Sequence, residues 1–329
     1  MLQGLTITHI SLPVRIFEPY STLQRIINLF SFMPKYLPQA AAQTDPLERM
    51  KLVIASAISG SYLCSGQLKP FNPILGETLQ CHFPDGTQIL CEHTSHHPPI
   101  SNFSLEPPDN SYQFYGYYEF TAKMGANNMR AGQRGPNVVR FNDGQEIRYN
   151  LPDYKLGGTV MGNRTLWAVG TMVFEDEKNR LKAVINFDTF KKSGWISTSV
   201  EGSHDEFSGV IYKTTNQITK ANSYVLNHKS QADLDLDALP DKGSALGEIF
   251  GSWLGSLSIN GKEYWNIDKD LPLRYIPNLN PLPSDWRFRE DLIWLRRKHL
   301  QFAEKWKLRM EVQQRHDRKN RNEAKKKKK

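Results

Sequence analysis

Three short stretches of this 329-residue chain gather side chains suited to holding a phosphate. In Lys69-Pro70-Phe71-Asn72-Pro73 a cation and an amide each stand directly before a proline, a place where the backbone is driven out of the helical region into an extended one. Both side chains therefore project from stiff backbone. The run Glu92-His93-Thr94-Ser95-His96-His97-Pro98-Pro99 does the same for two adjacent imidazoles, which offer several N–H donors and more when protonated. A phosphate needs several such donors at once. Near the C-terminus Lys307, Glu311 and Arg315 are spaced by four, so on a helix they share an arc of about 80° along about 12 Å, two cations with a carboxylate between them. Taken singly, each stretch also has an ordinary structural reading: a solvated loop lysine, a turn asparagine, a hydrogen-bonded strand end, an ion-paired helix face.

The elements that must carry these residues can be read from local pattern. Ser21 and Gln24 form a capping box ahead of Leu23, Ile26, Ile27 and Phe30, which fall on one helical face. Asp45, Pro46 and Glu48 open a second helix through Leu47, Met50, Ile54, Ala57 and Ile58. From about Gln80 to Ile267 the character changes to short β-prone runs, among them Gln88 to Cys91, Phe114 to Ala122, Leu166 to Phe174, Leu181 to Phe187 and Gly209 to Thr214. The dipeptides Asp85-Gly86, Asp143-Gly144 and Asn260-Gly261 between them favour tight hairpins, so the expectation is an antiparallel sheet large enough to curl or close. Runs such as Val184-Ile185-Asn186-Phe187 put apolar residues on both faces, as a barrel with a covered outside and an apolar inside requires. Leu292, Leu295, His299, Phe302, Trp306 and Met310 then recur every three or four residues and describe one long final helix running into Lys325 to Lys329.

Composition excludes several classes. With 39% hydrophobic and 11% aromatic residues the chain folds. The net charge of +8 belongs to the tail, because residues 296 to 329 hold 15 Lys/Arg against 4 Asp/Glu and leave 27 against 30 for the rest. That acidic remainder, with no stacking aromatics beside a basic face, argues against a nucleic-acid partner. Cys64, Cys81 and Cys91 contain no C-x-x-C pair, which suits a reducing, cytoplasmic setting. The most apolar stretch, Leu52 to Leu63, falls short of the roughly 20 residues that span a bilayer, and Met1 to Ser11 lacks the form of a secretory signal. Membrane contact is expected to be peripheral and transient.

Together these motifs resemble the oxysterol-binding protein-related family. The likeness runs through Ser11-Leu12-Pro13-Val14, Glu18-Pro19, Leu23-Gln24-Arg25 and Asp45-Pro46-Leu47-Glu48-Arg49. It continues through Lys69-Pro70-Phe71-Asn72-Pro73-Ile74-Leu75-Gly76-Glu77-Thr78 and Ser95-His96-His97-Pro98-Pro99. Gly251-Ser252-Trp253, Tyr264-Trp265, Leu282-Pro283-Ser284-Asp285 and the Lys307, Glu311, Arg315 helix complete it.

The resemblance implies an α+β, mainly β fold: a large near-complete antiparallel β-barrel enclosing an apolar lipid tunnel, with an N-terminal lid and helices and a long C-terminal helix. One domain would cover 1–324, with a short lid in 1–20, helices in 21–66, the barrel in 67–270 and a C-terminal helical region in 271–324. Residues 325–329 would be a polylysine tail attracted to anionic membrane surfaces or merely solvated. Members of the family extract phosphatidylinositol 4-phosphate, and many exchange it for a sterol or phosphatidylserine at contacts of the endoplasmic reticulum with the Golgi or plasma membrane. Carried over by position, Lys69, Asn72, His96, His97, Lys307 and Arg315 would contact the headgroup phosphates, with Glu311 orienting the basic groups or meeting the inositol. Ile10, Leu12 and Val14 would line the lid and tunnel mouth.

The expectation is a monomeric, non-enzymatic transfer protein without cofactor or metal; a lipid sensor without net transfer is the nearer alternative. The remoter one is a metal-dependent hydrolase drawing on Cys81, Cys91, His93, His96 and His97, whose spacing fits no zinc pattern. Two features depart from the family: His93 stands where Gln is usual, and only ten residues precede Ser11, so a short lid is expected. No pleckstrin-homology or ankyrin region and no acidic two-phenylalanine tract is expected either.

Overall fold

The computed structural model describes residues 12–66, 68–187, 203–227 and 245–327. A turn of 3-10 helix at Val14–Ile16 leads into β1 (Phe17–Ser21) and three helices, α1 (Thr22–Leu29), α2 (Met33–Ala41) and α3 (Pro46–Ser59). Ser21 and Gln24 form the expected reciprocal box at the start of α1, and the Asp45 carboxylate accepts the Leu47 N–H at 3.0 Å to open α3. Helix α2 has no sequence signal of comparable strength, since Pro38 lies inside it. It forms because it is buried, with Met33, Tyr36, Leu37 and Ala40 all packed into the core.

After β2 (Lys69–Phe71), which lies parallel to β1, the chain builds one antiparallel sheet of 15 strands. These are β3 (Thr78–His82), β4 (Gln88–His96), β5 (Pro99–Glu106), β6 (Tyr112–Met124), β7 (Asn128–Arg134), β8 (Asn137–Phe141), β9 (Glu146–Tyr149) and β10 (Asp153–Gly157). They continue with β11 (Thr165–Asp176), β12 (Leu181–Phe187), β13 (Glu206–Lys213), β14 (Ala245–Ser252), β15 (Ser256–Ile259), β16 (Lys262–Asn266) and β17 (Ile276–Pro277), with the single turn α4 (Tyr224–Asn227) between β13 and β14.

The order runs β16-β15-β14-β13-β12-β11-β10-β7-β6-β5-β4-β3-β17, with β8 and β9 bridging β6 to β11. All three glycine dipeptides sit at hairpin turns. At Asn260-Gly261 both residues have positive φ, 51° and 75°, the twist that a two-residue hairpin needs.

The two edges of this sheet, β16 and β17, share no ladder among the described residues, and a helix packs near each of them. Helix α3 packs on β15 and β16, while α1 packs on β3 and β4. Phe30 packs its ring against both members of the stacked Phe103–Phe114 pair, at 4.9 and 5.0 Å, and the rings continue through Tyr149 to Phe174. Each such ring, removed from water, contributes about 1.5–3 kcal/mol. Arg49 ties α3 to α2 and to the β8–β9 turn, donating to Ala40 O at 3.0 Å and to Asp143 and Gln145. None of the helices among the described residues is long and apolar enough to cross a membrane.

The C-terminal region departs from the single long helix that the spacing predicts. Lys298, with φ of 62°, breaks it into α5 (Glu290–Arg296) and α6 (Leu300–Lys327), so Leu292 and Leu295 lie on a different helix from Phe302, Trp306 and Met310. The two helices have different anchors: α5 packs on β1, and α6 packs on the turn at Val14–Ile16. The same region also contributes β17, which pairs with β3. Residue Ile10 of the expected lid lies outside the described residues, as do Lys328 and Lys329, whereas α6 runs through Lys327.

Candidate functional site

The parallel pairing of β1 with β2 sets Phe17 beside Lys69 and Ser21 beside Phe71. Lys69 Nζ lies 4.9 Å from the centre of the Phe17 ring and donates to Asn72 Oδ1 at 2.6 Å and Pro70 O at 3.1 Å. The first two of the sequence-predicted residues are thus joined directly. Asn72 itself is exposed, and its carbonyl accepts from Arg289 at 2.8 Å.

From Asn72 the loop is locked to strand β4. Ile74 N–H donates to Glu77 Oε2 at 2.9 Å, Gly76 N–H to His93 O at 2.8 Å, and His93 N–H to Glu77 O at 2.9 Å. Gly76 permits the tight turn with φ of 82°. Beneath it lies a buried ionic network in which Arg289 bonds Glu77 at 2.8 Å and Asp291 at 2.7 Å, and Ser21 Oγ donates to the other oxygen of Glu77. Burial presses the pKa of Arg289 down, but Glu77 and Asp291 more than reverse this and leave it above its ordinary value. This arginine is fixed as a cation and spent on structure.

Strand β4 alternates strictly, with Ile89, Cys91 and His93 buried and Gln88, Leu90, Glu92 and Thr94 exposed. Residues 93 and 96 would therefore face opposite ways on a regular strand. A bulge between His93 and Ser95 inserts one residue against β5 and brings both rings to one side. His93 Nε2 lies 3.1 Å from His96 Nδ1, and the rings of His96 and His97 meet edge to face at 5.0 Å. Burial, then the neighbouring His96 and Arg289, holds His93 at about 4. His96 is lowered too, by burial and then by His97 and Arg318.

Helix α6 supplies the last wall. Its Lys307 is buried, points its Nζ at the same Phe17 ring from 5.7 Å and bonds Glu311 Oε1 at 2.8 Å. Arg315 stands 3.8 Å from Glu311 Oε2, on the shared face that the helical spacing predicts, and is exposed. Among the lid residues, Val14 is buried and its N–H donates to Glu304 Oε2 of α6 at 2.6 Å, while Leu12 is partly buried against the core.

Two ammonium groups therefore flank one aromatic ring, and Arg289 acts on Lys69 and on His93 alike. Burial first, then the charges of Lys307 and Arg289, lower Lys69 to about 8. A region that gathers several cations round a lysine bonded only to neutral oxygens is suited to an anion. Sequence reasoning missed Phe17, Arg289, Asp291 and Arg318; each reaches the site through tertiary packing, and no local pattern marks it. Cys81 and Cys91 are buried in β3 and β4 with thiols pushed up chiefly by burial, and no three His, Cys, Asp or Glu side chains among the described residues converge as metal ligands.

A family model described as oxysterol-binding protein matches residues 2–329. The chain is similar to oxysterol-binding protein 9 of Dictyostelium discoideum, 34% identical over 326 residues that cover 97% of this chain and 72% of that one. Against human oxysterol-binding protein-related protein 1 it is 26% identical, covering 98% of this chain and 37% of the relative. Among solved structures, the Osh3 ORD of Saccharomyces cerevisiae in complex with PI(4)P superposes with a TM-score of 0.72 at 23% identity, over 95% of this chain and 81% of that one. The Osh1 ORD domain in complex with ergosterol gives 0.73 at 22% identity, over 98% and 78%.

Proposed function

Because the chain belongs to the oxysterol-binding protein family, we propose that it is a lipid-transfer domain that extracts phosphatidylinositol 4-phosphate and exchanges it for a sterol or phosphatidylserine. The observation that carries this reading is Lys69, a cation lowered to about 8 whose hydrogen bonds go to neutral oxygens and whose charged neighbours are Lys307 and Arg289. A phosphomonoester brings about −1.5 to −2 charges near neutral pH and relieves that repulsion. Lys69, Asn72, His96, His97, Lys307 and Arg315 would donate to its oxygens, with Glu311 holding the two α6 cations in place.

The acyl chains would occupy an apolar tunnel within the sheet, since shielding each CH₂ from water is worth about 0.8 kcal/mol. A sterol would use the tunnel and ignore the cations. When the two cargoes exclude one another, a phosphoinositide gradient can drive the other lipid uphill, and no covalent bond changes in the protein's own step. Work at cytoplasmic membrane contacts, with the basic end of α6 drawn to anionic leaflets, completes the proposal.

The test is mass spectrometry of lipids co-purifying with the chain, followed by transfer between liposomes. Recovery of phosphatidylinositol 4-phosphate and its movement to acceptor vesicles is the expected result. Binding without movement would leave a sensor, and failure to bind the phosphoinositide would end the reading.

A further inference from the structure

His93 is buried between two polar partners, with Nδ1 3.0 Å from Ser101 Oγ on β5 and Nε2 3.1 Å from His96 Nδ1. The bulge at Thr94 turns His96 back over it. This engagement uses Nδ1 of His96 and leaves Nε2 for another partner. Resting on the phosphate-binding reading above, we propose that His93 is a positioning residue: it holds His96 through Nδ1 so that His96 meets the incoming phosphate through Nε2–H, and its Nε2 accepts a hydrogen bond from the second N–H that His96 gains on capture.

The proton count fixes what the pair must do. A neutral imidazole carries one N–H, so before capture the two rings hold two ring protons. A phosphate oxygen at His96 Nε2 favours the cation, and in the captured state three N–H groups are present: His96 Nε2–H to the phosphate, His96 Nδ1–H to His93 Nε2, and His93 Nδ1–H to Ser101 Oγ. The third proton comes from solvent, and no other group changes its state. Ser101 fits this role because a hydroxyl either donates or accepts without moving, so His93 keeps both partners whichever nitrogen bears its proton. His93 remains neutral throughout the physiological range, since it sits at about 4. The groups that act on the pair are His97 on the same turn and Arg318 of α6, which disfavour a second proton on His96, and Arg289 ahead of α5, which disfavours one on His93.

The experiment uses the full chain with 15N-labelled histidine and glycerophosphoinositol 4-phosphate, the water-soluble headgroup, at pH 7.5. Imidazole nitrogen shifts should show His96 neutral without ligand and doubly protonated at saturation, with His93 neutral in both. His93→Leu should weaken headgroup binding about tenfold or more, the scale of a charge-assisted hydrogen bond, and leave His96 neutral when bound. His93→Gln, whose amide oxygen can accept from Nδ1–H, should restore both. Should His93→Leu not fold, Ser101→Ala replaces it and should shift His93 away from the Nδ1–H form in the complex. The inference is overturned by a bound His96 that stays neutral in the native chain, or by full affinity and protonation in the leucine variant. No binding by the native chain would instead refute the phosphate reading itself.

Discussion

The sharpest consequence of the charge cluster is a pH dependence that an ordinary lysine would not produce. Lys69 titrates at about 8, so the fraction in the cationic form is about nine-tenths at pH 7 and about one-tenth at pH 9. If headgroup capture needs the cation, affinity falls about tenfold between those values, or about 1.4 kcal/mol. A lysine at the ordinary 10.5 would lose less than about 5% over the same interval. The phosphate itself stays dianionic there, because its second pKa lies near 6. Calorimetric titration with glycerophosphoinositol 4-phosphate at pH 7, 8 and 9 measures the slope. Lys69→Arg, cationic at every pH tested, should flatten it, and Lys307→Met should move the decline to higher pH by removing one of the repelling charges. A native profile as flat as that of Lys69→Arg would refute the reasoning that places Lys69 under strain.

Three further outcomes follow from the same geometry. A His96→Ala, His97→Ala double variant should lose at least about tenfold in phosphoinositide extraction, and native levels would overturn the assignment of both donors. Arg289→Met leaves Glu77 and Asp291 buried without their partner and should remove about 3–5 kcal/mol from the unfolding free energy, read by urea denaturation. Deleting Lys325 to Lys329 should weaken association with anionic vesicles by up to about 1 kcal/mol per lysine in low salt, while titration with the water-soluble headgroup stays unchanged.

What was legible in the chain follows the range of the forces involved. The cap at Ser21, the cap at Asp45 and the hairpin turn at Asn260-Gly261 depend on neighbours within a few residues, and all form as the local chemistry requires. The prolines around Lys69 and Asn72 likewise stiffen them locally, and the bond between these two side chains spans only three residues. The break at Lys298 is different: neither Gly nor Pro marks it, and it arises because α5 is held to β1, with Arg296 donating to Pro19 O at 3.2 Å, while α6 follows the Val14 turn. Arg289 is equally silent in sequence. Its role exists only because Glu77, more than 200 residues earlier, is folded under the same loop.

Two cations at the heart of the site, Arg289 buried and Lys69 half-buried, illustrate how structure and function divide a charge. Arg289 has two carboxylates and a carbonyl, so its environment favours the charged form and the loop it supports gains stability from it. Lys69 faces the opposite situation, with neutral acceptors, burial and two cations nearby, so folding disfavours its charged form. Its own contribution is therefore unfavourable below about pH 8 and disappears as the pH rises through 8 towards 10.5, the reverse of a paired lysine. Lys69→Met keeps the aliphatic stem over Phe17 and removes the charge, and should raise the melting temperature of the ligand-free chain at pH 7 while weakening headgroup binding. Arg289→Met should lower stability. If Lys69→Met also lowers the melting temperature, Lys69 is a structural cation like its neighbour, and the repulsion assigned to it is relieved by the protein itself and not by a ligand.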